Sequence, residues 1–159
     1  MSYQSTIFVT GGAGFIGSEM VRNLVSDKNN FVVNIDSLTY SGNLDNLLTV
    51  ADHSNYFFSN CAIGHKSSIQ KLIKQFSPDI FINFAAESHV DKSIQDPNPF
   101  FMTNVMETLD FIIQVKDYWK QSHKKIIFHH ISTDEVYGDI PEGSSPCDEN
   151  YQYNPSSPY

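Results

Sequence analysis

Short runs of β-branched and aromatic residues alternate along the chain with longer stretches in which apolar residues return every three or four positions. The first run, Thr6-Ile7-Phe8-Val9-Thr10, leads through Gly11 into a helix that begins near Phe15. That helix carries Met20, Val21, Leu24 and Val25 on one face and ends between Ser26 and Asn30. A second strand is predicted at residues 31–35, followed by a loop over residues 37–50 with a turn at Ser41-Gly42-Asn43 and a short helix through Leu44, Leu47 and Leu48. Tyr56-Phe57-Phe58 reads as a third strand. Ser67 and Ser68 are candidate caps for a helix bearing Ile69, Leu72, Ile73 and Phe76, which Pro78 closes. Residues 80–85 are apolar almost throughout, as suits a parallel strand covered on both faces. Phe101, Val105, Leu109, Ile112, Ile113 and Val115 predict a long helix over about residues 99–121, with a further strand at residues 125–131. In residues 138–159, prolines and glycines among polar residues predict a loop or lid.

Strand and helix alternating in this way build an α/β fold, a Rossmann-type doubly wound parallel sheet with right-handed crossovers. No repeat, low-complexity tract or linker interrupts the pattern, so one dinucleotide-binding domain is expected over residues 1–159. Ligands of such sheets lie outside the carboxyl ends of the strands, where Gly11, Asp36, Ala86 and Thr133 should converge.

The first strand-to-helix corner carries the clearest binding signal. Gly11, Gly14 and Gly17 are spaced G-x-x-G-x-x-G, one glycine displaced from the dinucleotide fingerprint. The first permits the tight turn, the second lets backbone approach a pyrophosphate, and the third lets helix and strand pack closely. Amides opening the helix then point at the anion with the helix dipole behind them. Asp36 follows the second strand, about 20 residues on, where such a fold places an acid on the adenosine ribose. A carboxylate there accepts from both ribose hydroxyls and repels a 2′-phosphate, and no arginine follows to receive one. NAD is therefore favoured over NADP.

Composition narrows the class. The 159 residues are 40% hydrophobic and 18% charged, enough to bury one sizeable core, and the formal net charge of −8 argues against a nucleic-acid surface. Cys61 and Cys147 provide neither a disulfide framework nor metal-ligand spacing, so no metal is expected. With no signal-peptide pattern and no apolar run of membrane length, a cytoplasmic protein is the expectation.

The strongest chemical signal is Ser132-Thr133-Asp134-Glu135-Val136-Tyr137-Gly138 at the end of a predicted central strand. Two adjacent carboxyl groups beside a cofactor can divide into acid and base when their environments differ. With this stretch, the sequence resembles the extended short-chain dehydrogenases/reductases and, within them, the nucleotide-sugar 4,6-dehydratases. The resemblance runs through Thr10-Gly11-Gly12-Ala13-Gly14-Phe15-Ile16-Gly17, Asp36-Ser37-Leu38-Thr39-Tyr40-Ser41-Gly42-Asn43-Leu44, Ala85-Ala86-Glu87-Ser88-His89-Val90-Asp91, His129-His130 with the acidic stretch that follows, and Pro155-Ser156-Ser157-Pro158-Tyr159. The Thr-Asp-Glu triplet is what separates dehydratases from epimerases.

The resemblance implies conversion of dTDP-glucose, or a UDP-glucose counterpart, to the 4-keto-6-deoxy sugar and water through transient reduction of NAD. Tyr159 would remove the 4-hydroxyl proton with help from Thr133, Glu135 would take the C5 proton, and Asp134 would protonate the departing 6-hydroxyl. Held protonated for that step, Asp134 needs desolvation or like-charge repulsion from Glu135. Phe15 and Ile16 would meet the pyrophosphate, Asp36, Ser37, Leu38 and Thr39 the adenosine ribose, and Ala62 and Ile63 the adenine. Phe84, Ala85, Ala86 and Ser88 would line the nicotinamide side, Thr103 would reach the cofactor from the long helix, and Ser88 and Thr133 would touch the sugar. Asn104 reads as a backbone brace, and His89 as a loop residue.

Two departures from the family pattern shape the expectation. Ala62 stands where the family usually has an acid before Ile63, so a hydrogen bond to adenine would be missing. Tyr159 ends the chain, so the lysine four positions later, the last strands and the substrate domain are absent. The expectation is thus an incomplete Rossmann domain, inactive alone, from a protein that is a homodimer at full length. A nucleotide-sugar 4-epimerase and a non-catalytic NAD-binding protein are the alternatives.

Overall fold

The computed structural model describes residues 3–159. Five parallel strands, β1 (Ser5–Thr10), β2 (Asn30–Asp36), β3 (Tyr56–Asn60), β4 (Ile80–Asn83) and β5 (Ile127–His130), form one sheet in the order β3-β2-β1-β4-β5. The chain winds outward from β1 to β3, then returns to pair β4 with the other side of β1. A topological switch point therefore lies between β1 and β4, at their carboxyl ends.

Alternation along the central strands supplies both faces of the core. Phe8, Val33, Ile35 and Phe81 point to one side and pack with Ile69, Leu72 and Ile73 of α2 (Lys66–Phe76) and with Phe111 and Val115 of a long C-terminal helix. Ile7, Val9, Val32 and Ile82 point to the other side and meet Val21 and Val25 of α1 (Phe15–Ser26), with Leu47 from a short 3-10 turn at Leu44–Leu47. Phe81 is the hub of the first face. Its ring lies 5.4 Å from Phe8, 6.0 Å from Phe111 and 6.2 Å from Tyr118, each edge-on.

Several elements differ from their sequence expectation, each for a local reason. The first turn of α2 is opened by a tight turn from Ala62 to His65, so His65 is the cap residue and Ser67 and Ser68 lie inside the helix. The helix ends at Ser77, which takes a left-handed conformation and donates its N–H to the Ile73 carbonyl at 2.8 Å before Pro78. β4 leaves the sheet after Asn83 because Phe84 and Ala85 bend across Gly11. A short helix, α3 (Val90–Gln95), is too brief to show a period in the sequence.

The long helix is the largest difference. It runs continuously through α4 (Asn98–Phe100), a π-helical segment (Phe101–Glu107) and α5 (Thr108–Ser122). Thr108 Oγ1 donates to the Thr103 carbonyl at 3.0 Å, across the widened turn. Of the apolar residues that predicted the helix, only Val115 is buried; Phe101, Val105, Leu109, Ile112 and Ile113 are exposed, while Phe100 and Phe111 take the core positions. The apolar stripe thus faces away from the sheet.

Residues 138–159 form an irregular segment that folds back on itself. The Asn154 N–H donates to the Val136 carbonyl at 2.9 Å, and the backbone of Gly138, at φ +68°, packs against that of Asn154 with no room for a side chain. Tyr159 ends against Phe100, their rings 6.4 Å apart. Replacing Phe81 by alanine opens a cavity among three aromatic rings, and we expect it to lower the unfolding free energy by about 3–5 kcal/mol, read as a fall in the denaturant midpoint at unchanged slope.

Candidate functional site

A cleft of about 390 Å³ crosses the carboxyl ends of the sheet from the end of β3 to the end of β5. Its floor is the glycine corner. Gly11 sits at φ +68°, and a Cβ there would meet the Ala85 nitrogen at 2.7 Å and the Phe84 carbonyl carbon at 2.8 Å. A Cβ on Gly17 would collide with the Gly11 carbonyl, so α1 could not close on the strand. Gly14 caps α1 without any side-chain bond, and with Phe15, Ile16 and Gly17 it lines the cleft. The first amides of the helix, which no turn of α1 can satisfy, therefore open onto the cleft with the positive end of the helix dipole.

Asp36 holds that corner in place. Its carboxylate accepts from the Ala13 N–H at 2.9 Å and from the Leu38 N–H at 2.8 Å, and it is buried. One side chain thereby joins the turn after β1 to the turn after β2, while its edge still borders the cleft. Leu38 bends at φ +52° to make this bond, and its half-buried side chain packs against the core cluster that holds Val21 and Val25 of α1. Of the expected ribose contacts, Asp36, Ser37 and Thr39 line the cleft and Leu38 does not.

Beneath the floor runs a row of polar side chains at matching register. Thr10 Oγ1 donates to Asn83 Oδ1 at 2.5 Å, and the Asn83 amide donates to His130 Nδ1 at 3.1 Å. Thr10 Oγ1 in turn accepts from the Ala85 N–H at 3.3 Å. On the far wall, Asn104 of the π segment braces the loop after β4: its Oδ1 accepts from the Glu87 N–H at 2.8 Å and its Nδ2 donates to the Glu87 carbonyl at 2.9 Å. That is the role expected of Asn104 from the sequence.

Most of the anticipated residues meet in this one cleft. Ala62 and Ile63 stand at the β3 end, Phe84, Ala85, Ala86 and Ser88 at the β4 end, Thr103 on the π segment, and Tyr159 at the edge with Ser132. Ser88 also borders a shallow hollow with Tyr40 and His89. The acidic stretch behaves differently. Thr133, Asp134 and Glu135 do not line the cleft, although Ile131 and Ser132 immediately before them do. Thr133 caps a 3-10 turn (Asp134–Tyr137), its hydroxyl accepting from the Glu135 N–H at 3.1 Å and standing 3.4 Å from Asp134 Oδ1. Asp134 is exposed, so the described residues do not bury it.

Glu107, Glu87 and Cys61 line the cleft without having been given a role there from the sequence, and Ser132 lines it as the first residue of the acidic stretch. Glu107 was findable: it lies one helical turn after Thr103, so any face that presents Thr103 presents Glu107 as well. Burial, with help from Asp110, pushes its carboxyl above the ordinary value, while the Gly64 N–H opposes the rise. Burial likewise pushes the Cys61 thiol up, against a weak bond from Ser59. Among the described residues no cluster of side chains suits a metal ion, and no helix is long and apolar enough to cross a membrane.

Sheet order, switch point and glycine corner together define a Rossmann-type fold of the nucleotide-binding kind. The chain belongs to the GDP-mannose 4,6 dehydratase family, whose model matches residues 8–159. It is 44% identical over 157 residues to a dTDP-glucose 4,6-dehydratase of Neisseria meningitidis serogroup B, covering 96% of this chain and 44% of that protein. Among solved structures it resembles a dTDP-glucose 4,6-dehydratase from Bacillus anthracis in complex with NAD, with a TM-score of 0.84, 37% identity and coverage of 98% of this chain and 46% of that one. It also resembles DesIV, a dTDP-glucose 4,6-dehydratase from Streptomyces venezuelae, with NAD bound, at a TM-score of 0.85 and 37% identity, covering 97% of this chain and 47% of that one. The chain thus spans about half the length of the relatives it matches.

Two measurements probe the site as described. Asp36→Asn keeps the shape but turns an amide NH2 toward one of two backbone N–H donors; we expect a loss of about 1.5–3 kcal/mol in unfolding free energy and faster hydrogen exchange at Ala13 or Leu38. Glu107 binds its proton more tightly in the folded chain than at its ordinary value of 4.5, so its contribution to stability is full below that value and declines as pH rises through the elevated one. Unfolding free energy measured against pH should show that decline in the wild type and less of it in Glu107→Gln.

Proposed function

We propose that this chain is the NAD-binding domain of a nucleotide-sugar 4,6-dehydratase acting on dTDP-glucose or a UDP-glucose counterpart. The observation that carries the reading is Thr133-Asp134-Glu135 at the carboxyl end of β5, directly after Ser132 in the wall of a cleft that also holds Tyr159 and the glycine corner. The residues present fit NAD: open amides for a diphosphate, a carboxylate at the end of β2 for a ribose, and a cleft that extends to both sides of the switch point. When bound, NAD would accept a hydride from C4 of the sugar and return it at C6.

The chain's own groups would handle the protons. Tyr159 would draw the proton from the 4-hydroxyl, with the Thr133 hydroxyl hydrogen-bonded to the same oxygen. A 4-keto group acidifies C5–H, so Glu135 needs little tuning to take that proton. Asp134 would deliver one to the 6-oxygen as water leaves. Phe15 and Ile16 would border the diphosphate, Asp36, Ser37 and Thr39 the ribose, and Ser88 and Thr133 the sugar, while Leu38 packs on the far side of its turn. An acidic pair favours this chemistry over 4-epimerisation, which needs no proton transfer at C5.

A homodimer of the full-length protein is part of the same reading. It is supported by the exposed apolar stripe of Phe101, Met102, Val105, Met106, Leu109 and Ile113 along the long helix, too continuous to be left in water by chance. A cytoplasmic setting is supported by Cys61 and Cys147, both free thiols.

Titration calorimetry with NAD and assay of dTDP-glucose turnover in deuterated water test the reading. We expect NAD uptake by the 159-residue chain and, in the full-length protein, deuterium at C5 of the product. Glu135→Gln should reduce that incorporation by at least about 10²-fold while NAD affinity stays unchanged. No NAD uptake, or an epimer as the product, would sink the proposal.

A further inference from the structure

The cleft wall beyond β3 carries one acidic side chain that the chemistry above leaves without a task. Glu107, on the π segment one turn after Thr103, lies directly over Gly64: a Cβ on Gly64 would meet Glu107 Cγ at 2.6 Å and Cδ at 2.9 Å. Its carboxyl is partly withdrawn from water, and the Gly64 N–H is the group that offsets this. The wall beside it, Ala62 and Ile63, has no side-chain donor or acceptor. Asp36, the other carboxylate on this side, already accepts from two backbone amides.

Strand order says what reaches this place. The diphosphate corner follows β1, the ribose carboxylate follows β2, and Ala62, Ile63 and Gly64 follow β3, so the group beyond the ribose lies at the β3 end of the cleft. A flat ring seated against Ala62 and Ile63 would have Glu107 as its polar neighbour. We propose that Glu107 is a specificity-determining residue that accepts a hydrogen bond from the exocyclic amino group of the purine, with Gly64 keeping the space its side chain occupies. This rests on the reading that the cleft holds NAD.

The chemistry is one-sided. An ionised carboxylate accepts and cannot donate, so a purine with an oxo group at position 6 turns a lone pair toward an anion that has already lost part of its hydration. A glutamine amide can do either, because it can also donate to the oxo group. Gly64→Ala leaves Glu107 in the sequence but fills the space under it, and the backbone of Gly64 is not in the left-handed region, so alanine is conformationally allowed there and displaces the flexible Glu107 side chain.

Calorimetry on the purified chain with NAD and with nicotinamide hypoxanthine dinucleotide, which carries an oxo group in place of the amino group, tests the assignment. The wild type should bind NAD at least about tenfold more tightly than the hypoxanthine analogue. Glu107→Gln should shrink that ratio to about threefold or less, and Gly64→Ala should shrink it in the same direction. The nearly isosteric glutamine variant decides the matter if Gly64→Ala does not fold. Equal wild-type affinities, or a ratio unchanged in Glu107→Gln, would overturn the role of Glu107 and leave NAD binding intact; failure of the wild type to bind either dinucleotide would overturn both.

Discussion

Everything in this molecule is arranged around a backbone-to-backbone contact at the switch point, where Gly11 lies against Phe84 and Ala85. The Gly11 Cα is so near the Ala85 nitrogen that no side chain fits between them. Two consequences follow from that approach. β4 must leave the sheet at Asn83, which opens the cleft, and the turn after β1 must be held from its other side, which Asp36 does through the Ala13 and Leu38 amides. A buried carboxylate is costly unless its lone pairs are filled, so the tie is strong because it also satisfies Asp36.

The long helix serves two environments at once. Its α-helical parts bury Phe100, Phe111 and Val115, whereas every residue of the π segment is half-buried or exposed. There the wider turn presents Thr103 and Glu107 to the cleft and Asn104 to the Glu87 backbone, and leaves Phe101, Met102, Val105 and Met106 outward. Wide turns of this kind recur at functional sites because they re-aim side chains without breaking the helix. In this chain one segment braces the β4 loop, borders the cleft and exposes an apolar surface.

Much of this was legible from the residues alone. The strands were marked by unbroken apolar runs, and the glycine corner and Asp36 by their spacing, because burial on both faces and close backbone approach each leave few permitted residue types. What was not legible depended on partners distant in the chain. The exposed stripe on the long helix has the same 3.6-residue period as a buried one, and only the three-dimensional packing shows that Phe111 rather than Leu109 faces the sheet. Leu38 sits among residues that border the cleft, yet with a positive φ its side chain packs, half-buried, against the outside of the core. The Thr133-Asp134-Glu135 stretch follows an edge strand, and a local cap takes the Thr133 hydroxyl. Asn83 and His130 could have been noticed as polar residues closing apolar runs, though nothing nearby in the sequence pairs them.

That pairing answers a problem peculiar to sheets of this type. Between their ends, β1 over Ile7–Val9 and β4 over Ile80–Ile82 are apolar on both faces, so sliding one along the other by two residues would exchange one apolar side chain for another at small cost. The row from Thr10 through Asn83 to His130 removes that freedom. A slipped β4 would carry the Asn83 amide into hydrocarbon with its donor and acceptor both orphaned, so three polar side chains in one transverse line act as a vernier that sets how far each strand extends.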